Sequence, residues 1–218
     1  MTLKLPHASG NAVSITAPAT NPAADRSLAL PGNSNGTILT TKYPSGIQVL
    51  EQFFSPCDGS TIATAEGNIT LSTVSATQAL TTSYADITGS SIAYTPPTGA
   101  TQVIYKYVFV QSAGDASNIG HYKLFVDSDE VTNFRKTIAT HSNFTDSVPV
   151  VFTWGLNIGG SAVTATGRQA SWSSAKTIKI QGREYNSDYD VNCHQLMYWD
   201  GASSTQFSQP SIGITAIG

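Results

Sequence analysis

The run 102–111, QVIYKYVFVQ, has the strongest β-strand signal in this sequence of 218 residues. Its side chains alternate between two faces with the period of two that an extended strand requires. One face has Val103, Tyr105, Tyr107 and Phe109, and the other has Ile104, Lys106, Val108 and Val110. Both faces are largely apolar, so we expect a central strand with one face on the core and the other covered.

Further strand signals follow on both sides of this run, separated by turn residues at spacings of roughly 8–15 residues. They lie at 68–75, 82–87, 91–95, 121–127, 130–138, 148–158, 164–172, 176–185, 191–199 and 206–217. No long helical pattern competes with them. The sequence therefore predicts an all-β fold, in which residues 61–218 form an antiparallel, jelly-roll-like β-sandwich.

The first 43 residues predict a different kind of structure, with short extended pieces at 12–16, 27–30 and 37–41. Pro18 and Pro22 interrupt the pattern because proline lacks the N–H that a sheet ladder uses. Each piece has too few large apolar side chains to offset the entropy lost on ordering. We predict an oligomerising stem, in which identical chains meet around a symmetry axis. The alternative is an N-terminal arm with no fixed structure. The predicted stem contacts are Val13, Ile15, Leu28, Leu30, Ile38 and Leu39.

Residues 44–60 are predicted to connect the stem to the sandwich. Their pattern fits either one more extended strand or a short helix over 44–54, and the turn sequence SPCDG at 55–59 ends it. We expect the domain boundary near this turn.

The composition excludes several classes of function. Charged residues make up 11% of the chain, far below the usual quarter, whereas Ser and Thr contribute 26 and 27 residues. The net charge is −3 and Arg135-Lys136 is the densest basic cluster, so we predict no nucleic-acid partner. The N-terminus lacks the apolar core of a signal peptide, and no apolar run approaches ~18–20 residues, so we predict no membrane insertion.

Cys57 and Cys193 are the two cysteines of the chain. We expect two separate reduced thiols, although a bridge between them is geometrically possible. No Cys/His spacing matches a zinc site, and neither a metal nor a cofactor is predicted.

Three segments of the stem resemble the stem repeat of bacteriophage fibre and appendage proteins: APAT at 17–20, SLALP at 27–31 and GTILTT at 36–41. A looser resemblance, at LTTSY 80–84, YTPP 94–97 and YWDG 198–201, is to the distal domains of structural proteins from tailed phages, especially marine ones. The resemblance implies a virion protein assembled in the host cytoplasm. It also implies a homotrimer, with other virion proteins at its N-terminus and a host surface glycan or receptor at its distal domain.

One polar cluster is the candidate contact for such a receptor. Residues 186–194 place a polar side chain at every second position, so an extended chain would present them on one face and could bind sugar hydroxyls or Ca²⁺. Neighbouring tyrosines could stack on sugar rings. A solvated hairpin tip is the alternative. The candidate contacts are Tyr185, Asn186, Asp188, Tyr189, Asp190, Asn192 and His194.

Three functions follow as hypotheses. The first is a trimeric tail fibre or appendage that contacts the host surface, and the second is a head decoration or cement protein without receptor function. The third, a polysaccharide-degrading enzyme using Asp188 and Asp190, is less favoured. The chain has no G-x-S-x-G nucleophile motif and no room for the long β-helix typical of phage depolymerases. We therefore predict that the protein is not an enzyme.

Overall fold

The computed structural model describes residues 2–6, 12–16, 48–113, 117–141, 147–201 and 203–218. The chain divides into two compact units, Met1–Ser45 and Gly46–Gly218.

Within the first unit, strands β1 (Thr2–Pro6) and β2 (Ala12–Thr16) form an antiparallel hairpin. The register places Leu3 opposite Ile15 and Leu5 opposite Val13. The predicted extended piece at 12–16 is confirmed, but its partner β1 was not predicted. The pieces at 27–30 and 37–41, with Leu28, Leu30, Ile38 and Leu39, lie outside the described residues, so the predicted stem contacts stay predictions.

The second unit is built from strands, and the residues described there include no α-helix. The shorter strands are β4 (Thr61–Thr64), β5 (Gly67–Thr70), β6 (Gln78–Ala79), β7 (Ala85–Asp86), β8 (Ile92–Tyr94), β14 (Val191–Cys193), β15 (Gln195–Trp199) and β16 (Ser203–Phe207). The longer strands are β3 (Val49–Pro56), β9 (Gln102–Ala113), β10 (Ser117–Val126), β11 (Asp129–His141), β12 (Ser147–Asn157), β13 (Lys176–Glu184) and β17 (Ser211–Ile217).

One sheet has six strands in the order β3-β17-β9-β14-β6, and β12 pairs with the other side of β9. The prediction that β9 is central is therefore confirmed. Val103, Tyr105, Tyr107 and Phe109 on its inner face are all buried. The expectation that the outer face is covered is wrong for the described residues, because Lys106 is exposed and Val151 of β12, opposite Val108, has 56% of its surface accessible.

The second sheet has five strands in the order β11-β10-β13-β7, and β8 also pairs with β13. Its inner face consists of alternating apolar residues of β10 and β13, of which Tyr122, Leu124, Ile178 and Ile180 are fully buried. Aromatic rings join the two sheets: Tyr122 lies 5.1 Å from Phe152 and 5.9 Å from Phe109, measured between ring centroids. The predicted all-β antiparallel sandwich is thus confirmed.

Residues 49–56 form β3, a strand of the six-stranded sheet, and do not connect two domains. Of the two structures expected for residues 44–60, the extended strand is correct for this part. Along the chain, the boundary between the two compact units falls between Ser45 and Gly46, well before the turn at 55–59. The apolar residue Phe53 explains the difference, since its half-buried ring packs on Tyr94 of the core, with centroids 6.3 Å apart.

The strand predicted at 164–172 is wrong. Residues Thr164–Thr166 form a single 3₁₀ turn, and Gly167 ends it with φ 74°, which a residue with a side chain adopts only with strain. The chain then reaches Trp172, whose buried indole donates a 3.0 Å hydrogen bond to the carbonyl of Tyr94. This hydrogen bond, and not the pairing of a regular strand, attaches the end of the segment 164–172 to the core.

Cys57 and Cys193 are both free and buried, as expected for separate thiols. Burial is the main cause that raises the pKa of Cys57 to about 11 and that of Cys193 to about 12. Both groups are therefore neutral thiols at physiological pH.

Among the described residues, no helix has the length and apolar character needed to cross a membrane.

Candidate functional site

The outer face of the five-stranded sheet presents polar side chains from β10 and β13. The register places His121 opposite Arg183, and Lys123 opposite Gln181. These residues alternate with the buried residues Tyr122 and Leu124 and their partners, so they point away from the core. Their positions follow directly from the period of two along both strands.

Tyr84 covers part of this face. Nζ of Lys123 lies 4.4 Å from the centroid of the Tyr84 ring, and Cζ of Arg183 lies 5.4 Å from it. Both distances are within the range of cation–π attraction, which holds the ring and the two cations together. The tyrosine still has 38% of its surface accessible, so a ligand can reach it.

Arg183 is fixed in place without a salt bridge. Its Nη1 donates a 3.2 Å hydrogen bond to the carbonyl of Thr82, and its Nε is buried without a hydrogen-bond partner among the described residues. Within the same part of the chain, no carboxylate oxygen lies within 4.0 Å of the guanidinium nitrogens. Its positive charge therefore has no ion-pair partner in the described segments.

Lys123, by contrast, is paired. Oε2 of Glu130 accepts from Nζ of Lys123 at 3.0 Å, and Oε1 of the same carboxylate accepts from Nε of Arg135 at 2.5 Å. The hydrogen bond from Arg135 is the main cause that lowers the pKa of Glu130. Glu130 therefore stays ionised between two cations.

A second aromatic group begins where β13 ends. The rings of His121 and Tyr185 lie edge to face with centroids 6.0 Å apart, and Tyr189 lies 5.9 Å from Tyr185 in the same manner. Nδ1 of His121 is 2.9 Å from the hydroxyl of Thr137. Burial, and then the charge of Arg183, lower the pKa of His121, so this imidazole is neutral at pH 7. Tyr185 has 53% of its surface accessible.

The polar cluster predicted at 186–194 does not form one face. Residues 186–190 make a turn, in which Oδ1 of Asn186 accepts from the backbone N–H of Asp188 at 3.0 Å. A turn has no period of two, so Asp188 and Asp190 do not align with Asn192, which lies in β14 opposite Ala79 and Ser112. Asp188 and Asp190 are exposed, whereas Asn186 and Asn192 are half-buried.

His194 cannot contact a receptor in this fold, because its side chain is fully buried. Its backbone has φ 61°, a left-handed conformation that interrupts the strand and turns the imidazole into the core. The prediction that it belongs to an exposed contact surface is wrong. Neither ring nitrogen has a hydrogen-bond partner among the described residues, and burial lowers its pKa to about 4.

The structure brings two of the predicted contacts, Tyr185 and Tyr189, together with four residues that the sequence did not single out as a site. We call this set the aromatic–basic surface: Tyr84, His121, Lys123, Arg183, Tyr185 and Tyr189. The alternation within the predicted strand 176–185 puts Arg183 on the same face as Lys179 and Gln181. Its neighbours from β10 could not be found without the register between strands about sixty positions apart in the chain.

The chemistry of this surface is that of binding. Tyrosine rings stack on apolar faces, and the hydroxyls, imidazole and guanidinium form hydrogen bonds. In the part of the chain that the structure describes, no three His, Cys, Asp or Glu side chains are placed to hold a metal ion. Glu184 is buried behind the turn, where burial and then the charge of Asp190 raise its pKa.

Comparison with known proteins adds little to this picture. No protein-family model matches the chain, and no curated protein matches it. A solved structure of an exo-beta-agarase aligns with 82% of this chain at 14% identity and a TM-score of 0.25. The aligned part covers 24% of the agarase chain, and a likeness this low carries no argument about fold or function.

Proposed function

We propose that the chain is a structural protein of a phage virion, a homotrimeric tail fibre or appendage that contacts a glycan on the host surface. The observation that supports host contact is the aromatic–basic surface, in which exposed Tyr185 stands beside His121 and Arg183. The stem segments at 17–20, 27–31 and 36–41 support the virion assignment through their resemblance to phage fibres.

A glycan suits this surface for two physical reasons. Sugar rings have apolar faces that stack on tyrosine, and their hydroxyls pair with fixed hydrogen-bonding groups at the edge of the ring. Tyr84 and Tyr185 supply exposed rings, and Arg183, held by Thr82, supplies fixed donors. The surface is open, which fits a polysaccharide chain lying across it.

The homotrimer is supported by apolar residues that the single chain leaves uncovered. On the outer face of the six-stranded sheet, Phe54 has 52% and Val151 has 56% of its surface accessible. Lys106 is the one charged residue that β9, β12 and β17 contribute, so few charges would be desolvated if this face were covered.

The N-terminal unit also favours association with other chains, because a two-stranded hairpin such as β1-β2 is marginally stable by itself. We propose that the N-terminal unit attaches to other virion proteins.

Competition for adsorption tests the host-contact function. Purified protein should reduce adsorption of the phage to its host, and the Tyr185→Ala variant should lose this effect. Tyr198→Ala is the matched control, since Tyr198 is also exposed, at 47%, but lies on β15. Failure of the wild-type protein to compete would contradict receptor contact.

Antibody labelling of particles separates the fibre from a head decoration protein. Label at the tail or on an appendage is expected. Label spread over the head would overturn the fibre assignment and favour decoration.

An assay for reducing sugar released from host polysaccharide tests the enzyme alternative. It should give no signal above background, and release that depends on Asp188 or Asp190 would establish an enzyme.

A further inference from the structure

Charge is distributed unequally between the two outer faces of the sandwich. The five-stranded sheet presents Lys123, Arg135, Lys179 and Arg183, with the carboxylates of Asp86 and Glu130 between them. On the other face, β9, β12 and β17 together contribute Lys106 alone. A chain with a net charge of −3 thus concentrates cations on the face where Tyr84 and Tyr185 are exposed.

The two carboxylates of this face are already engaged. Glu130 is shared by Lys123 and Arg135, and Asp86 accepts from Nζ of Lys179 at 2.9 Å and from Nε2 of Gln181 at 2.8 Å. Neither is placed to neutralise Arg183. The guanidinium is therefore held by Thr82 and Tyr84, and no carboxylate among the described residues pairs with it.

We propose that the aromatic–basic surface binds an anionic saccharide, one with carboxylate or sulfate groups, and that Arg183 is the residue that pairs with the anion. This inference rests on the proposed glycan-binding function. Guanidinium donates two parallel hydrogen bonds to two oxygens of one carboxylate or sulfate group, which lysine cannot do.

The spacing of the strand fits such a ligand. Tyr185 follows Arg183 by two positions and comes directly after the last residue of β13, and two positions correspond to about 7 Å along an extended chain. A sugar ring stacked on Tyr185 therefore brings an acidic substituent, or the next residue of the polysaccharide, to Arg183. Asp188 and Asp190 lie beyond Tyr185 on the turn, so they repel anions at that end and favour binding at the Arg183 end.

Direct binding measurements with the full chain test the ligand class. Four probes are compared at equal mass concentration: polygalacturonate, dextran sulfate, neutral dextran and poly-L-glutamate. At least one of the two acidic polysaccharides should bind about tenfold or more tightly than dextran, and its affinity should fall as NaCl is raised. Comparison of the two distinguishes carboxylate from sulfate. Equal binding of dextran, or equal binding of poly-L-glutamate, would overturn the inference.

Substitutions locate the anion site. Arg183→Gln should weaken binding of the acidic polysaccharide about tenfold or more, and Arg183→Lys should restore only part of the loss. Arg168→Gln removes the same charge from an exposed arginine outside the strands of both sheets, and it should leave affinity unchanged. Thermal unfolding of each variant verifies the fold; if Arg183→Gln is unfolded, the Arg183→Lys affinity decides. Two results would contradict the assignment. One is wild-type affinity in Arg183→Lys and in any folded Arg183→Gln, and the other is an equal loss of affinity in Arg183→Gln and Arg168→Gln.

The failure of this inference can be told from failure of the proposed function. If dextran and acidic polysaccharides bind equally, and Tyr185→Ala abolishes both, glycan binding stands and the anionic class is wrong. If no polysaccharide binds and the protein does not compete for adsorption, both proposals fall.

Discussion

The imidazole of His194 packs edge to face against Phe109, with ring centroids 5.8 Å apart and an interplanar angle of 70°. The ring is fully buried and has no hydrogen-bond partner among the described residues, so the fold accepts it only in the neutral state. Its folded-state pKa of about 4 lies below the ordinary 6.5.

This relationship predicts acid sensitivity. Because the folded pKa is depressed, the contribution of neutral His194 is fully present above pH 6.5 and is lost as the pH falls towards 4. The loss amounts to about 3 kcal/mol in the free energy of unfolding at the low end. Urea unfolding at pH 7.5, 5.5 and 4.5 measures it. His194→Asn is the control, since asparagine accepts positive φ and does not titrate. The same pH dependence in this variant would contradict the assignment.

The turn at Gly89 should be intolerant of any side chain. A Cβ at Gly89 would lie 2.6 Å from Cγ2 of Val74 and 3.3 Å from Cys57, at φ 85°. Gly89→Ala should therefore destabilise the protein by about 2–4 kcal/mol. Gly99→Ala is matched in φ, at 92°, but its Cβ meets nothing within 4 Å, so only the backbone cost of about 1–2 kcal/mol is expected. Equal losses, measured by chemical denaturation, would contradict the packing around Gly89.

Both thiols should be unreactive in the native protein. Their pKa values, about 11 for Cys57 and about 12 for Cys193, leave almost no thiolate at pH 8, and both side chains are inaccessible. Labelling with an aromatic disulfide reagent should be negligible in buffer and should reach two equivalents per chain in denaturant. Fast native labelling of either cysteine would disagree with the fold.

Subunit association should depend on the outer face of the six-stranded sheet. Val151→Lys places a charge among the residues proposed to meet other copies, at a cost of about 3–5 kcal/mol if it is buried without a partner. Light scattering coupled to gel filtration should then give the mass of one chain in place of three. Val163→Lys, at a residue 42% exposed elsewhere, should leave the mass unchanged. A trimer formed by Val151→Lys would place the contact on another surface.

The periodic strands were the predictable part of the fold. The alternation of residues 102–111 was enough to place β9 centrally, because the period of two and a high apolar content are local properties. The strand predicted at 164–172 failed because the left-handed Gly167 and the bond from Trp172 to Tyr94 depend on tertiary contacts. Such contacts leave no local pattern.

The candidate site was predictable only in part, for a related reason. Tyr185 and Tyr189 were correctly predicted to lie near each other because both are close in the chain to the same turn, and residues close in the chain stay close in the fold. Arg183, Lys123 and Tyr84 meet through a register that the sequence does not encode locally. His194 was misplaced because its left-handed backbone breaks the alternation, so that two consecutive side chains, Cys193 and His194, are both buried.

One outer face of the sandwich is apolar and the other is aromatic and basic, and this difference affects how strongly an oligomer would bind a polymer. If three copies associate through the apolar faces near Val151, the three surfaces around Arg183 all point away from the symmetry axis. A polymer that repeats along the cell surface can then engage several of them at once, and each attachment raises the local concentration of the next. Avidity of this kind gives firm adhesion from individually weak contacts and still allows each contact to exchange.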